Sequence, residues 1–189
     1  KQNSLMIAQT PHTFSGIEVA ILDLLAKKNQ SPIYEMIGYT KSNPRIAYAS
    51  VLFGSAPDQT LKIASDMSKK NFKAVKFGWQ NFGLDLNKDK DHLVAAREGL
   101  GKDLMLMVDA GAVWGNNVET ALKRVDILKE AKVTWLEEPF YSDAFYEYSE
   151  LANKSLIPLA GGESCHSVES AKNMIRYGKI KYIQVDAGI

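Results

Sequence analysis

Five ionisable residues each end or follow an apolar run: Lys76 in KAVKFGW, Asp109 in LMVDAG, Glu137 in WLEEPF, Glu163 in AGGES and Asp186 in IQVDAG. One acid after a strand is more often a helix cap or a loop residue than a ligand. Five in succession at the same end of their runs point to one shared site. Asp109, Glu137 and Glu163 cannot sit together ionised without a counter-charge, because like charges raise one another's pKa. A divalent cation supplies that charge, and three carboxylate groups completed by water suit Mg2+. No Cys/His cluster with zinc spacing competes. Lys76, flanked by Val75 and Phe77, would stand across from the cation. Cation and ammonium together make an electropositive pocket, suited to stabilising the enolate left when the proton α to a carboxylate is removed.

The elements that must position these residues alternate. Apolar runs at 46–53, 72–77, 104–109, 133–138, 157–163 and 180–186 read as strands. Amphipathic runs at 57–70, 90–101, 116–131, 143–154 and 167–178 read as helices between them, with Pro57 suited to a first turn and Gly99 or Gly101 to a helix end. Near-continuous apolar strands separated by helices imply right-handed βαβ units and a parallel sheet covered on both faces. An open doubly wound sheet would carry a Gly-rich phosphate turn, and neither Gly111 nor Gly161–Gly162 makes one. The expected fold class is therefore α/β, a (β/α) barrel of the TIM type, whose strand ends converge on one mouth. Such a barrel needs eight strands and about 250 residues. The six strands here make it incomplete, so an isolated copy would not close.

Upstream, Ser15 is the expected N-cap of a helix whose Ile17, Ala20, Ile21, Leu24 and Leu25 recur at helical spacing, and a short turn of helix, IYEMIG, follows. The polar stretch from Gly38 to Arg45 reads as a linker. The division is residues 1–44 and 45–189.

Of the 189 residues, 46% are hydrophobic and 24% charged, with a net charge of +1, an ordinary globular balance. No basic run or stripe suggests nucleic acid, and no segment reaches membrane-spanning length. The single cysteine, Cys165, fits a reducing compartment, and the first residues lack the apolar core of a signal peptide, so a cytoplasmic protein is expected. The missing initiator Met and the apparent strand before Ile189 suggest a fragment.

The order Lys76, Asp109, Glu137, Glu163, Asp186 resembles the enolase superfamily, in its mandelate racemase/muconate lactonizing branch. VDA, WLEEP and GES resemble that family's three metal-ligand motifs, with separations of 28 residues from Asp109 to Glu137, 26 to Glu163 and 23 to Asp186. SGIEVAILDLLAKKNQSPIYEMIG resembles the end of its N-terminal α+β capping domain, which makes 1–44 the last part of that domain and 45–189 a partial catalytic barrel. The resemblance implies a homo-oligomeric, Mg2+-dependent enzyme acting on a small hydroxy-carboxylate. In it Asp109, Glu137 and Glu163 bind the metal, Glu138 supports them, Lys76 assists the substrate or enolate, and Asp186 orients a catalytic histidine beyond Ile189. The family often carries Lys-x-Lys on the second strand. Here Gly78 stands where the second lysine, a base, would be. A racemase with two opposed bases needs that lysine and a dehydratase does not, so the resemblance favours a sugar-acid dehydratase. A racemase, epimerase or cycloisomerase of the same family remains open, as does a non-catalytic barrel.

Other residues read more plainly. His166 is expected to open the next helix and His92 to lie on a helix surface. Cys165 is expected to be a small, at least partly buried residue, and Trp135 a core residue inside its strand. Trp79 and Trp114 follow strand ends, where they could line the pocket.

Overall fold

The computed structural model describes residues 11–41 and 43–186. Six parallel strands pair in strict chain order: β1 (Ala49–Leu52), β2 (Ala74–Gly78), β3 (Met105–Asp109), β4 (Val133–Glu137), β5 (Leu159–Gly161) and β6 (Tyr182–Ile183). Between them run α3 (Pro57–Ser68), α4 (Leu86–Leu100), α5 (Val118–Leu122), α6 (Val125–Glu130), α7 (Phe145–Lys154) and α8 (Val168–Arg176), preceded by α1 (Pro11–Asn29) and α2 (Ile33–Met36). This is the alternating β/α arrangement of a TIM-type barrel. The inner faces show the curl: Trp135 of β4 packs against both Tyr48, just before β1, and Tyr182 of β6, with ring centroids 5.9 and 4.8 Å apart.

The strands form where the apolar runs predict, but shorter. The 46–53 run pairs only from Ala49 to Leu52, and the 157–163 and 180–186 runs only over Leu159–Gly161 and Tyr182–Ile183. Val75, Phe77, Leu106, Val108, Leu136 and Leu159 are buried, and with the inward faces of the helices they form the core. Helix starts follow local chemistry. Asp85 caps α4, accepting from the N–H groups of Asn87 and Lys88, and Asn117 and Ser167 cap α5 and α8 in the same way. Pro57 opens α3 and Gly101, at φ 72°, ends α4.

Four expectations are corrected. Ser15 does not cap a helix; it lies buried within α1. Helix α4 begins at Leu86 rather than at Lys90, because its cap is Asp85. The 116–131 run is two helices, broken at Lys123–Arg124 where Arg124 turns inward. Its Nε donates to Asp89 at 2.8 Å, and both side chains are buried. Finally, His92 is buried rather than on the surface, its Nδ1 2.8 Å from the Thr60 hydroxyl, which also accepts from the Gly54 N–H.

In α1, Ile17, Ile21, Leu24 and Leu25 are exposed, while Ala26 is buried. Residues 1–10 of the expected capping segment lie outside the described residues, as do 187–189 at the end of the barrel segment. Among the described residues no helix is long and apolar enough to cross a membrane.

Candidate active site

Strand register brings the first members of the site together. Gly78, Asp109 and Glu137 stand opposite one another at the C-terminal ends of β2, β3 and β4, with Ala160, the middle residue of β5, next in register. Lys76 lies two residues deeper on β2, paired with Met107. Its ammonium is 3.1 Å from Asp109 Oδ2 and hydrogen-bonds to Glu137 Oε1, reaching from β2 across β3 to β4. All three are buried; Glu137 is 0% exposed. The Tyr48 ring lies 5.9 Å from the same ammonium.

Asp109 is held from both sides. Oδ1 accepts the Gly111 N–H at 2.9 Å, and Oδ2 lies 3.4 Å from the Trp79 indole N–H. Glu137 Oε2 accepts the Trp135 indole N–H at 3.1 Å. Trp135 was expected in the core, but its polar edge belongs to the site. The signal for it was its spacing: two residues before Glu137 on a strand puts both on one face. Gln184, also unremarked in the sequence, lies close enough to Glu137 to help hold its pKa down.

Glu163 is exposed on the turn after β5, and Asp186 is exposed beyond β6. With Gln184 and Tyr182 they line a cavity of about 780 Å3 that Trp135 and Tyr48 also border. Among the described residues no three His, Cys, Asp or Glu side chains converge closely enough to hold one ion together. Trp114, expected to line the pocket, is buried and donates its indole N–H to the Gly83 carbonyl. His166 lies exposed just before Ser167, the N-cap of α8, and Cys165 is half-buried against the core.

The electrostatics are unbalanced. Burial alone would lower the Lys76 pKa, but its hydrogen bond to Glu137 and the charges of Glu137 and Asp109 hold it well above the ordinary lysine value. Burial pushes Glu137 up, and Asp109 adds to that, against the pull of Lys76 and Gln184. Glu138 is pushed up to about 7 by burial and by the charges of Glu163, Asp109 and Glu137. One ammonium thus contacts Asp109 and Glu137 and acts on Glu138, while Glu163 adds negative charge beside Glu138. The backbone is strained at the same mouth. Trp79, Gln80, Ala112 and Glu138 follow β2, β3 and β4 with φ of 63°, 59°, 58° and 40°. Non-glycine residues adopt that region rarely, and such residues cluster at functional sites.

Residues 59–188 match the enolase C-terminal domain-like family. The chain belongs to that family, within the enolase superfamily and its mandelate racemase/muconate lactonizing branch. It is 42% identical to a predicted mandelate racemase from Rhodobacter sphaeroides, with a TM-score of 0.84 over 98% of this chain and 48% of that one. It is 25% identical to a racemase from Streptomyces coelicolor solved with bound magnesium, with a TM-score of 0.82 over 96% of this chain and 53% of that one. Among curated relatives, arabinonate dehydratase of Saccharolobus solfataricus is 27% identical over 91% of this chain and 46% of its own length. Racemases and cycloisomerases are also among the curated relatives. The chain spans less than half the length of these curated relatives, 44% to 46%.

Proposed function

We propose that the protein removes the proton α to a carboxylate, stabilises the resulting enolate with the help of Mg2+, and uses this to dehydrate a sugar acid. The donor chemistry suits the metal: Asp109, Glu137 and Glu163 offer only carboxylate oxygens, and their excess negative charge calls for a divalent cation. When bound, Mg2+ would polarise the substrate carboxylate and offset charge on the enolate. Lys76 adds a permanent positive charge beside the same oxygens. Asp186, at the mouth beyond β6, would orient the acid/base group that takes the α proton. The C–H electron pair forms the new C=C bond, the β-hydroxyl departs as water with a returned proton, and the enol tautomerises to a 2-keto-3-deoxy acid.

The observation that carries dehydration over racemisation is Gly78. It pairs with Asp109, and a Cβ built there would lie 2.8 Å from Asp109 Cβ. No side chain fits at 78 without displacing Asp109, so this position of β2 offers no second base. A dehydratase can work with a single acid/base group, which removes the α proton and then assists departure of the β-hydroxyl. The competing reading, a non-catalytic barrel, is favoured by the contact of Lys76 with both Asp109 and Glu137.

The test is a library of sugar acids incubated with the protein and Mg2+ in D2O. A 2-keto-3-deoxy product is expected. Deuterium at C2 of recovered acid without that product would replace dehydration by racemase-type chemistry. Neither outcome across the library would favour the non-catalytic barrel.

A further inference from the structure

We infer that Trp135 is a positioning residue that fixes the rotation of the Glu137 carboxylate, so that Oε1 rather than Oε2 meets the Lys76 ammonium. This rests on the proposed function for its consequence, metal binding through Glu137, but not for the contact itself. Glu137 is fully buried and its two oxygens differ in partner: Oε1 accepts from Lys76, and Oε2 accepts the Trp135 indole N–H at 3.1 Å, with the Gln184 side chain a further hydrogen-bonding neighbour of the carboxylate. A carboxylate at the end of a side chain with free torsions would otherwise rotate and exchange its oxygens. A donor tied to one oxygen removes that freedom.

The indole is itself held. Tyr48 meets it edge-on, with an interplanar angle of 86°, and Tyr182 packs on it at 43°. These tyrosines come from opposite ends of the sheet order, so Trp135 lies on the inner face of the curled sheet, between its two edges. The pairing of β3 with β4 is also irregular at this point. Leu106 pairs with Val133, but Val108 pairs with Leu136, so β4 carries one extra residue across Thr134–Trp135. Bulges of this kind re-aim side chains and are common beside active sites. The extra residue lies two to three positions before the acid, with Leu136 back in register between them, and it sets how Trp135 and Glu137 face each other. Groups that hold a metal ligand from behind are worth about tenfold to a hundredfold in metal affinity.

Trp135→Phe keeps a ring for the two tyrosines and removes only the donor. Two readouts test the inference. First, the three indole N–H signals of Trp79, Trp114 and Trp135 are followed by 15N NMR without metal. The one lost in Trp135→Phe should move in Glu137→Gln, and an unmoved signal would overturn the inference whatever the protein binds. Second, Mg2+ is titrated by calorimetry. Trp135→Phe should weaken binding about tenfold while leaving the melting temperature close to wild type, and unchanged affinity overturns the positioning role. A wild-type protein that takes up no Mg2+ overturns the proposed function and the metal-positioning role with it, a result distinguishable from a failure of the indole contact alone.

Discussion

Two buried clusters of ion pairs, Arg124–Asp89 and Lys76–Asp109–Glu137, are built differently. Arg124 and Asp89 form a closed account of charge, one positive and one negative. Asp89 accepts from Arg124 Nε and the Gly83 N–H, both at 2.8 Å. The other Arg124 nitrogens donate to the carbonyls of Thr120 and Gly83, and its guanidinium lies 5.3 Å from the Trp114 ring centre. Lys76 instead touches two acids, with Glu138 and Glu163 adding further negative charge nearby. The first cluster ties the β2–α4 loop to the helices and leaves nothing over. Burial pushes the Asp89 pKa up in the first cluster, against the pull of Arg124. It does the same to Glu137 and Glu138 in the second, where neighbouring acids add to the rise and leave negative charge unmatched. Balanced burial marks a structural clamp; imbalance at a strand-end mouth marks a site able to take a cation.

The comparison breaks most visibly at the clamp. Arg124→Met should leave Asp89 buried without its counter-charge and cost about 3–5 kcal/mol, measured by denaturant unfolding. Adding Asp89→Leu should recover much of that loss, because the buried charge is then gone. If the single variant costs less than about 1 kcal/mol, the clamp is not what holds that loop.

A smaller effect, of opposite sign, is expected in the unbalanced cluster. The folded pKa of Glu138 is about 7, above its ordinary 4.5, so the folded protein binds the proton more tightly than the unfolded chain. The stability this contributes is complete below about pH 4.5 and is lost as pH rises through about 7. Glu138→Gln in EDTA should therefore raise stability by on the order of 1–2 kcal/mol at pH 8 and change little at pH 4. Equal effects at both pH values would contradict the imbalance.

Much of the fold was legible because its signals are local and periodic. Apolar runs at near-regular intervals, Pro57 at a helix start and Gly101 at a helix end all speak through neighbouring residues. Strand ends were overread because residues such as Ile46 are apolar before pairing begins. The residues that escaped are those whose partners are distant in sequence. Arg124 breaks its helix and His92 turns inward for partners 35 and 32 residues away. Nothing in the helical pattern of their own segments shows this. In the site, Lys76, Asp109 and Glu137 were legible as a group because parallel strands bring their C-terminal ends into register. Trp135 was not, since an indole inside an apolar strand looks the same whether its N–H is idle or bound to an acid. Glu163 and Asp186 lie past the last paired residues of β5 and β6, where register no longer constrains them.

Asp109 is proposed to help hold a divalent cation in this mouth, and calorimetric titration of Mg2+ into wild type and Asp109→Asn tests that role most directly. The substitution keeps the side-chain shape and its acceptor for the Gly111 N–H while removing the charge. Wild type should bind, and Asp109→Asn should bind at least about tenfold more weakly. Equal affinity in the two proteins would contradict the account.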